Sequence, residues 1–273
     1  MSAPFKPGQT AVITGAALGI GRAAAHMLAQ LGLRVVMVDR ARAPLHEAAS
    51  TVAAVIGAHN ILTSETDVTD AAAMSALAVE VERRFGAPTL LMNNAATRVG
   101  GSVAAPMADW RSAFEVNFWG VINGVNAFLP MMAAAPDPSF IVNVGSKQGI
   151  TNPPGNAAYN AAKAALRFYT ESLQHDLRVR PACRVTAHLL VPGWTTTGTN
   201  AHKPGAWLPE QVVERMFERL SAGSFYIVCP DNEVSETMDR QRILWAATDI
   251  TDDRPALSRW HGGYDDEFRA FEL

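Results

Sequence analysis

Cysteine is scarce in this sequence. Cys183 and Cys229 are the only two among 273 residues, and they lie far apart. Two cysteines so placed cannot form the disulfide framework of a small secreted protein or the four-ligand set of a zinc ribbon. The seven histidines also include no H-x-x-x-H pair, so we expect no metal site. A reducing, cytoplasmic location is the expectation.

The chain also lacks an excess of one charge and any long apolar run. It has 23 Lys and Arg against 26 Asp and Glu. The basic residues are scattered, so we expect no nucleic-acid partner, because binding a phosphate backbone needs a concentrated positive surface. The longest apolar stretch, residues 127–136, is interrupted by Pro130 and is too short for a membrane span. The first residues do not follow the order of a signal peptide, and we expect no membrane association.

Short runs rich in β-branched residues alternate with Ala-rich segments of helical spacing. Most of the runs are apolar on successive residues, which is typical of parallel strands covered by helices on both faces. The pattern predicts an α/β fold with a doubly wound, seven-stranded parallel sheet and helices on both faces. The predicted strands are residues 10–14, 34–39, 60–63, 89–93, 139–144, 184–191 and 225–229, and the predicted helices are about 19–31, 43–56, 70–85, 107–134 and 157–179.

No linker-like tract divides the chain, so residues 1–273 are predicted to form a single domain. Two segments depart from the alternation. Residues 195–222 end in an amphipathic helix at 209–222, and an excursion of this length beyond a strand is typical of a substrate lid. Residues 231–273 are predicted to add a C-terminal helix at about 234–247 and a tail.

A glycine-rich turn lies between the first predicted strand and helix. It reads Thr14-Gly15-Ala16-Ala17-Leu18-Gly19-Ile20-Gly21. Glycines allow a sharp turn, and backbone N–H groups at a helix N-terminus attract a pyrophosphate. Such a turn is also compatible with simple helix packing. The cofactor-binding candidates here are Gly15, Ala17, Leu18, Gly19, Ile20 and Gly21.

The second strand is predicted to end at Asp39. An acidic side chain at this position binds the hydroxyls of an adenosine ribose and repels a 2′-phosphate, which favours NAD over NADP. Arg40 follows it, and a guanidinium there leaves NADP as a possible cofactor. Asp67 and Val68, after the third strand, are placed to meet the adenine ring.

Side chains suited to proton transfer follow the fourth and fifth strands. Tyr159 and Lys163 are one helical turn apart, so an ammonium lies beside a phenol and favours its ionised form. Ser146 is placed to hydrogen-bond the same substrate oxygen. Each residue alone also has an ordinary structural interpretation, but Asn94 and Asn117 join them at the carboxyl ends of successive predicted strands, where open α/β sheets bind ligands.

These motifs resemble those of the short-chain dehydrogenase/reductase family, in its short-subunit branch with TGxxxGxG and YxxxK motifs, over residues 8 to about 198. The resemblance implies a Rossmann-type domain in which Tyr159 is the acid/base, Ser146 orients the substrate and Lys163 holds the nicotinamide ribose. It also implies that Asn117 anchors a water for proton relay. It adds cofactor contacts from Asn94, Ala95, Ala96, Pro192, Gly193, Thr195 and Thr197.

Three features depart from the family pattern. Ala96 stands where the family usually has glycine, and Gly145 replaces a frequent serine. The segment 225–231, Phe-Tyr-Ile-Val-Cys-Pro-Asp, lacks the glycine-rich turns with which many relatives close the last strand.

The expected function is hydride transfer between a nicotinamide cofactor, NAD rather than NADP, and a secondary alcohol or ketone. Gln148, Ile150, Trp194 and Trp207 are substrate-pocket candidates, and their character favours a hydrophobic or cyclic substrate. One alternative is an NADPH-dependent ketoreductase, such as a 3-oxoacyl-thioester reductase. Another is a dinucleotide-binding sensor without catalysis. The resemblance also implies a homodimer or homotetramer assembled through helices 107–134 and 157–179.

Overall fold

Seven parallel strands form the centre of the molecule. The computed structural model describes residues 4–198 and 200–271, so Thr199 of the predicted lid and both chain ends lie outside the described residues. The strands are β1 Thr10–Thr14, β2 Arg34–Asp39, β3 Ile61–Glu65, β4 Leu90–Asn93, β5 Ser139–Val144, β6 Val185–Val191 and β7 Tyr226–Val228. Their order in the sheet is β3-β2-β1-β4-β5-β6-β7, and every neighbouring pair is parallel. The predicted fold class is confirmed.

Helices cover both faces of this sheet. The helices are α1 Gly19–Gln30, α2 Arg42–Ile56, α3 Ala71–Phe85, α4 Met107–Phe114, α5 Gly120–Ala134, α6 Gln148–Thr151, α7 Ala157–Val179, α8 Pro209–Ser221, α9 Glu236–Thr251 and α10 Asp265–Ala270. Alternate residues of one strand enter different cores: Ile13 packs with α1, α2 and α8, whereas Val12 packs with α3, α5 and α7. This explains why the strands are apolar on successive positions.

The third strand differs from its prediction. Asn60 belongs to a short 3₁₀ turn, and β3 runs two residues beyond the predicted end, to Glu65. Pairing with β2 extends it, because Asp39 and Glu65 are partners in the ladder. The polar residues Ser64 and Glu65 are therefore held in the strand by the backbone pairing rather than by burial of their side chains.

The predicted helix 107–134 is interrupted. A π-helical segment, Glu115–Trp119, separates α4 from α5, and the Gly120 N–H donates to the carbonyl of Glu115, five residues back. Asn117 is fully buried in this segment, and its side-chain amide donates to the carbonyl of Ala113 at 2.9 Å. The apolar spacing continues through the segment, so the sequence pattern gave no sign of the break.

The C-terminal residues form a small packed unit. Ser235 caps α9 by accepting from the Met238 N–H, and the helix continues to Thr251, beyond the predicted residue 247. Trp245 is buried and donates from Nε1 to Ser258 Oγ at 2.8 Å. The Arg254 guanidinium lies 3.7 Å from the Trp245 ring centroid. Within the described residues, no helix combines the length and apolar character that crossing a membrane requires.

Candidate active site

The glycine-rich turn forms a backbone cradle at the end of β1. Gly15 and Gly19 have φ values of +64° and +54°, which side chains disfavour. A Cβ on Gly21 would lie 2.3 Å from the Gly15 carbonyl oxygen, so only glycine permits this close approach. Asn94 fixes the turn from β4, since its Nδ2 donates to the carbonyls of Thr14 at 3.0 Å and Gly15 at 3.1 Å.

Asp39 lies beside this cradle at the end of β2. Its Oδ2 accepts from the Ala17 N–H at 3.1 Å, and its Oδ1 accepts from the Ala41 N–H at 2.9 Å. The carboxylate therefore joins the glycine-rich turn to the start of α2. It still has free lone pairs, and it borders both cavities described below.

A small cavity of about 80 Å³ continues from Asp39 toward β3. Arg40 lines this cavity and forms an ion pair there, with its Nη1 3.7 Å from Asp67 Oδ2. The pKa of Asp67 is lowered, mainly because its carboxylate accepts from the Thr69 N–H, with a smaller contribution from Arg40. This cavity brings together the predicted adenine-end residues Asp39, Arg40, Asp67, Val68, Ala95 and Ala96.

A larger cavity, of about 330 Å³, extends from the glycine-rich turn to the ends of β5 and β6. Ser146, Tyr159 and Lys163, three of the predicted catalytic residues, all line it, and their catalytic roles stay predictions. Its other lining residues are Gly15, Leu18, Gly19, Ile20, Asp39, Asn94, Ala96, Arg98, Val144, Gly145, Pro192, Gly193, Thr195, Thr197 and Gly198. Ala17 and Gly21, two further cofactor candidates, shape the turn without bordering this space.

Lys163 is the most deeply buried ionisable group of this cavity. It is 2% exposed, and its Nζ donates to the Val144 carbonyl at 2.7 Å. Burial, and to a smaller extent the Arg98 guanidinium, lower the pKa of Lys163 to about 7. Its position depends on Gly149 of α6, where a Cβ would lie 2.6 Å from the Lys163 carbonyl carbon.

Tyr159 lies one turn before Lys163 on α7. The Lys163 Nζ is 5.8 Å from the Tyr159 ring centroid, so the two side chains share one face of the helix. No hydrogen bond from the described residues occupies the Tyr159 hydroxyl, which leaves it available to a substrate. Ser146 Oγ accepts from the Gln148 N–H at 3.2 Å and keeps its own hydroxyl proton free for a further partner.

Asn117 lies behind the cavity and does not line it. Its Nδ2 donates to the Thr97 carbonyl at 2.9 Å, and its Oδ1 accepts from the Thr97 N–H at 3.3 Å. The side chain therefore holds the loop after β4. The predicted role of Asn117 in anchoring a water stays a prediction.

The segment after β6 closes the cavity from the opposite side. The Thr195 hydroxyl donates to the Gly193 carbonyl at 3.2 Å. Main-chain bonds from Thr196 N–H to Trp207 and from Trp207 N–H to Trp194 fold the predicted lid back on itself. A Cβ on Gly19 would lie 3.2 Å from Thr197 Cγ2, so this segment meets the glycine-rich turn.

The four substrate candidates lie outside the cavity lining. Trp207 packs partly buried against the core, and Trp194 is 40% exposed. Gln148 and Ile150 lie on α6, next to the site. Their contact with substrate stays a prediction.

Sequence reasoning missed an ion cluster next to Ser146. Lys147 Nζ lies 2.7 Å from Asp239 Oδ2 and 3.3 Å from Asp231 Oδ2. Asp231 also accepts from the Trp194 N–H at 3.0 Å. The cluster joins the loop after β5, the segment after β6 and helix α9. Lys147 precedes both carboxylates by more than 80 residues, and the three residues carry no motif, so no sequence signal identified them. Within the described chain, no three His, Cys, Asp or Glu side chains are grouped to hold a metal ion.

Comparisons with known proteins give consistent relatives. A family model described as short chain dehydrogenase matches residues 9–206. The putative oxidoreductase SadH of Mycobacterium tuberculosis is 39% identical over 175 residues, which span 63% of this chain and 62% of SadH. The 1-deoxy-11-beta-hydroxypentalenate dehydrogenase of Streptomyces avermitilis is 31% identical over 249 residues, covering 86% of this chain and 90% of that protein.

A similar fold is found in a solved structure. A short-chain dehydrogenase/reductase from Burkholderia phymatum, crystallised in complex with NAD, superposes with a TM-score of 0.82 at 30% identity. The superposition covers 91% of this chain and 96% of that one.

Proposed function

Because the chain belongs to the short-chain dehydrogenase family, we propose that it is an NAD-dependent oxidoreductase that interconverts a secondary alcohol and a ketone. The observation that carries the proposal is the single cavity in which Ser146, Tyr159 and Lys163 meet the glycine-rich turn. Every part of this site comes from one sheet, its loops and the helices packed on it, which supports treating residues 1–273 as one catalytic domain.

The residues at the glycine-rich turn fit a dinucleotide. Gly15, Gly19 and Gly21 leave room where side chains would stand, and the N-terminus of α1 favours a pyrophosphate. Asp39 would hold the adenosine ribose hydroxyls. Its negative charge opposes a 2′-phosphate, and the exposed Arg40 guanidinium pairs with Asp67 at 3.7 Å, so NAD is the proposed cofactor. The NAD complex of the Burkholderia protein supports this assignment.

The catalytic steps assigned to this chain concern the substrate oxygen and its proton. The cofactor, when bound, supplies or accepts the hydride. During oxidation the deprotonated Tyr159 oxygen accepts the proton of the alcohol, and during reduction the Tyr159 hydroxyl donates that proton back to the substrate oxygen. Ser146 donates to the same oxygen and stabilises developing negative charge there. Lys163 lies beside Tyr159, with its Nζ 5.8 Å from the ring centroid, and would hold the nicotinamide ribose.

The substrate is proposed to be hydrophobic or cyclic in its carbon skeleton. A relative named as a dehydrogenase of hydroxypentalenate supports an alcohol substrate of this kind. An NADPH-dependent ketoreductase acting on 3-oxoacyl thioesters is the alternative, and comparison of the two cofactors separates them. A homodimer or homotetramer and a cytoplasmic location also remain proposals. Trp119 and Phe168, exposed near α5 and on α7, are candidate contacts for assembly.

The experiment that tests this function is the substitution Tyr159→Phe. Only the hydroxyl is lost, so the variant should fold and bind NADH as the wild type does. Its turnover across a panel of ketones should fall by roughly 10²–10⁴-fold, the usual contribution of a general acid/base. Turnover is followed by NADH absorbance and binding by NADH fluorescence.

A matched control is Tyr169→Phe, which removes the hydroxyl of a tyrosine on α7 outside the cavity. This variant should keep its turnover. Near-normal turnover of Tyr159→Phe would remove Tyr159 from its proposed role. NADH binding by a wild type that turns over no ketone or alcohol would favour a sensor instead.

A further inference from the structure

A guanidinium without an assigned role lies in the 330 Å³ cavity, near the proposed catalytic residues. Arg98 lines this cavity together with Ser146, Tyr159 and Lys163. We propose that Arg98 binds a carboxylate or similar oxyanion of the substrate, so that the enzyme acts on a hydroxy acid and its oxo acid. This inference rests on the proposed function and names the substrate class for the same site.

The loop that carries Arg98 is fixed at both ends. At one end, the buried Asn117 side chain binds both the N–H and the carbonyl of Thr97. At the other, the Gly101 N–H donates to the Gly155 carbonyl at 2.9 Å, and the Ala157 N–H donates to the Gly101 carbonyl at 3.1 Å. Ala157 begins α7, the helix that carries Tyr159. The loop therefore holds the Arg98 backbone in a defined place relative to the proposed acid/base.

The charges around Arg98 leave it available to an anion. Among the described residues, no carboxylate lies within ion-pair distance of its guanidinium. Asp39 is the only acidic residue of the cavity lining. It ends β2, whereas Ser146 follows β5, and the three strand spacings between them amount to roughly 14 Å. Among the residues that line the cavity, the catalytic end thus has two basic side chains, Arg98 and Lys163, and no acid. The nearby carboxylates of Asp231 and Asp239 do not line the cavity and pair with Lys147.

Arg98 is also suited to an oxyanion by its chemistry. A guanidinium presents two parallel N–H donors to a carboxylate and stays charged at all working pH values. Lys163 cannot serve equally, because its Nζ already donates to Val144 and lies deep in the protein. An acid bound through Arg98 would bring its carbonyl carbon toward Tyr159 and Ser146, while its carbon skeleton remains free to be hydrophobic.

The cofactor pyrophosphate is the competing anion. Its proposed place is the N-terminus of α1, after β1, where backbone N–H groups supply the donors. Arg98 follows β4, and its positive charge is close enough to Lys163 to contribute to the lowered pKa of that lysine. Lys163 in turn lies beside Tyr159. This neighbourhood favours the substrate over the pyrophosphate as the partner of Arg98.

The test is ligand binding to the protein saturated with NAD⁺, which cannot oxidise a ketone, so that binding is measured without turnover. Calorimetry compares levulinate and benzoylformate with their methyl esters. The acids should bind at least about ten-fold more tightly, as expected for a charge-assisted hydrogen bond. Arg98→Gln should remove this difference, and Arg98→Lys should retain part of it. Arg111→Gln, an exposed arginine on α4, is the control and should keep it.

Equal binding of acids and esters by the wild type would overturn the proposal, and so would a preference that survives Arg98→Gln. Weaker NAD⁺ binding by Arg98→Gln, without an acid preference in the wild type, would assign the guanidinium to the cofactor and also overturn it. Turnover is measured separately with NADH. Acid binding that depends on Arg98, with no ketone reduced, would support the anion site and count against the proposed oxidoreductase.

Discussion

Two adjacent residues of opposite charge lie at the end of β2. Asp39 favours NAD as the cofactor, whereas Arg40 would favour NADP. The sequence alone left both possible. In the structure, Asp39 accepts from Ala17 of the glycine-rich turn and borders both cavities, whereas the Arg40 guanidinium faces Asp67. The carboxylate is therefore fixed by the backbone, and the guanidinium is an exposed group held by one weak ion pair.

Substitution Asp39→Asn should shift cofactor preference toward NADP. The amide keeps the shape of the side chain and one accepting oxygen, but it removes the negative charge that repels a 2′-phosphate. We expect the ratio of kcat/KM for NAD over NADP to fall about ten-fold or more, which corresponds to about 1.4 kcal/mol. Steady-state kinetics with each cofactor and one common substrate measures this ratio.

The neighbouring substitution Arg40→Gln serves as the control. If Arg40 binds a 2′-phosphate, this variant should lose activity with NADP selectively. We expect little change, because its guanidinium is directed toward Asp67. A ratio that is unchanged in Asp39→Asn, together with a selective NADP loss in Arg40→Gln, would assign cofactor choice to the arginine.

At the scale of elements, the sequence predicted the strands of the sheet better than it predicted the helix break and the contacts between distant segments. Runs such as Val35 to Val38 are buried on both faces, and burial of this kind leaves a continuous apolar signal. The break at Glu115–Trp119 left none, because the apolar spacing continues through it; the segment holds the buried Asn117, whose amide donates to the Ala113 carbonyl. Likewise, the motifs located Ser146, Tyr159 and Lys163, whereas Lys147 pairs with carboxylates more than 80 residues away.

The Lys147 cluster connects three elements around the site, and the substitution Lys147→Met should loosen all of them. The side chains of Lys147, Asp231 and Asp239 are 17%, 4% and 7% exposed. Removing the ammonium leaves two buried carboxylates facing each other, and breaking a buried pair in this way costs about 3 kcal/mol. We expect the free energy of unfolding, measured with urea, to fall by this amount. We also expect a lower kcat, because Ser146 and Trp194 adjoin the cluster.

The double variant Lys147→Met with Asp239→Asn distinguishes a charge effect from a packing effect. Burial raises the pKa of Asp239, and Lys147 opposes that rise. Neutralising Asp239 should therefore restore part of the stability that Lys147→Met loses. If the double variant is no more stable than the single one, the contribution of Lys147 comes from its packing against Gly193 rather than from its charge.

For the molecule as a whole, the buried Lys163 and Cys229 and the partly buried Tyr169 should shape the dependence of stability on pH. The pKa of Lys163 falls from 10.5 to about 7, chiefly through burial. Below pH 7 the folded protein must hold a buried charge, and its stability rises as the pH increases from 7 toward 10.5. Burial acts oppositely on the Cys229 thiol and raises its pKa from 9.0 to about 12. The pKa of Tyr169 is raised from 10.0 to about 12. Both groups reduce stability at higher pH, because the unfolded chain ionises first.

The contribution of Lys163 can be isolated by comparing the wild type with Lys163→Met in the absence of cofactor. All other titrating groups are common to both proteins and cancel in the difference between their free energies of unfolding. Between pH 7 and pH 9 this difference should move in favour of the wild type by about 2 kcal/mol, since only the unfolded wild type holds the proton over most of that range. Urea unfolding at pH 7, 8 and 9 measures this difference.

The matched control is Lys6→Met, a substitution of an exposed lysine before β1. Its difference in free energy of unfolding from the wild type should not change with pH. A flat difference for Lys163→Met as well would mean that Lys163 stays charged in the folded protein, and the site would then hold a full ammonium beside Tyr159 before any cofactor binds.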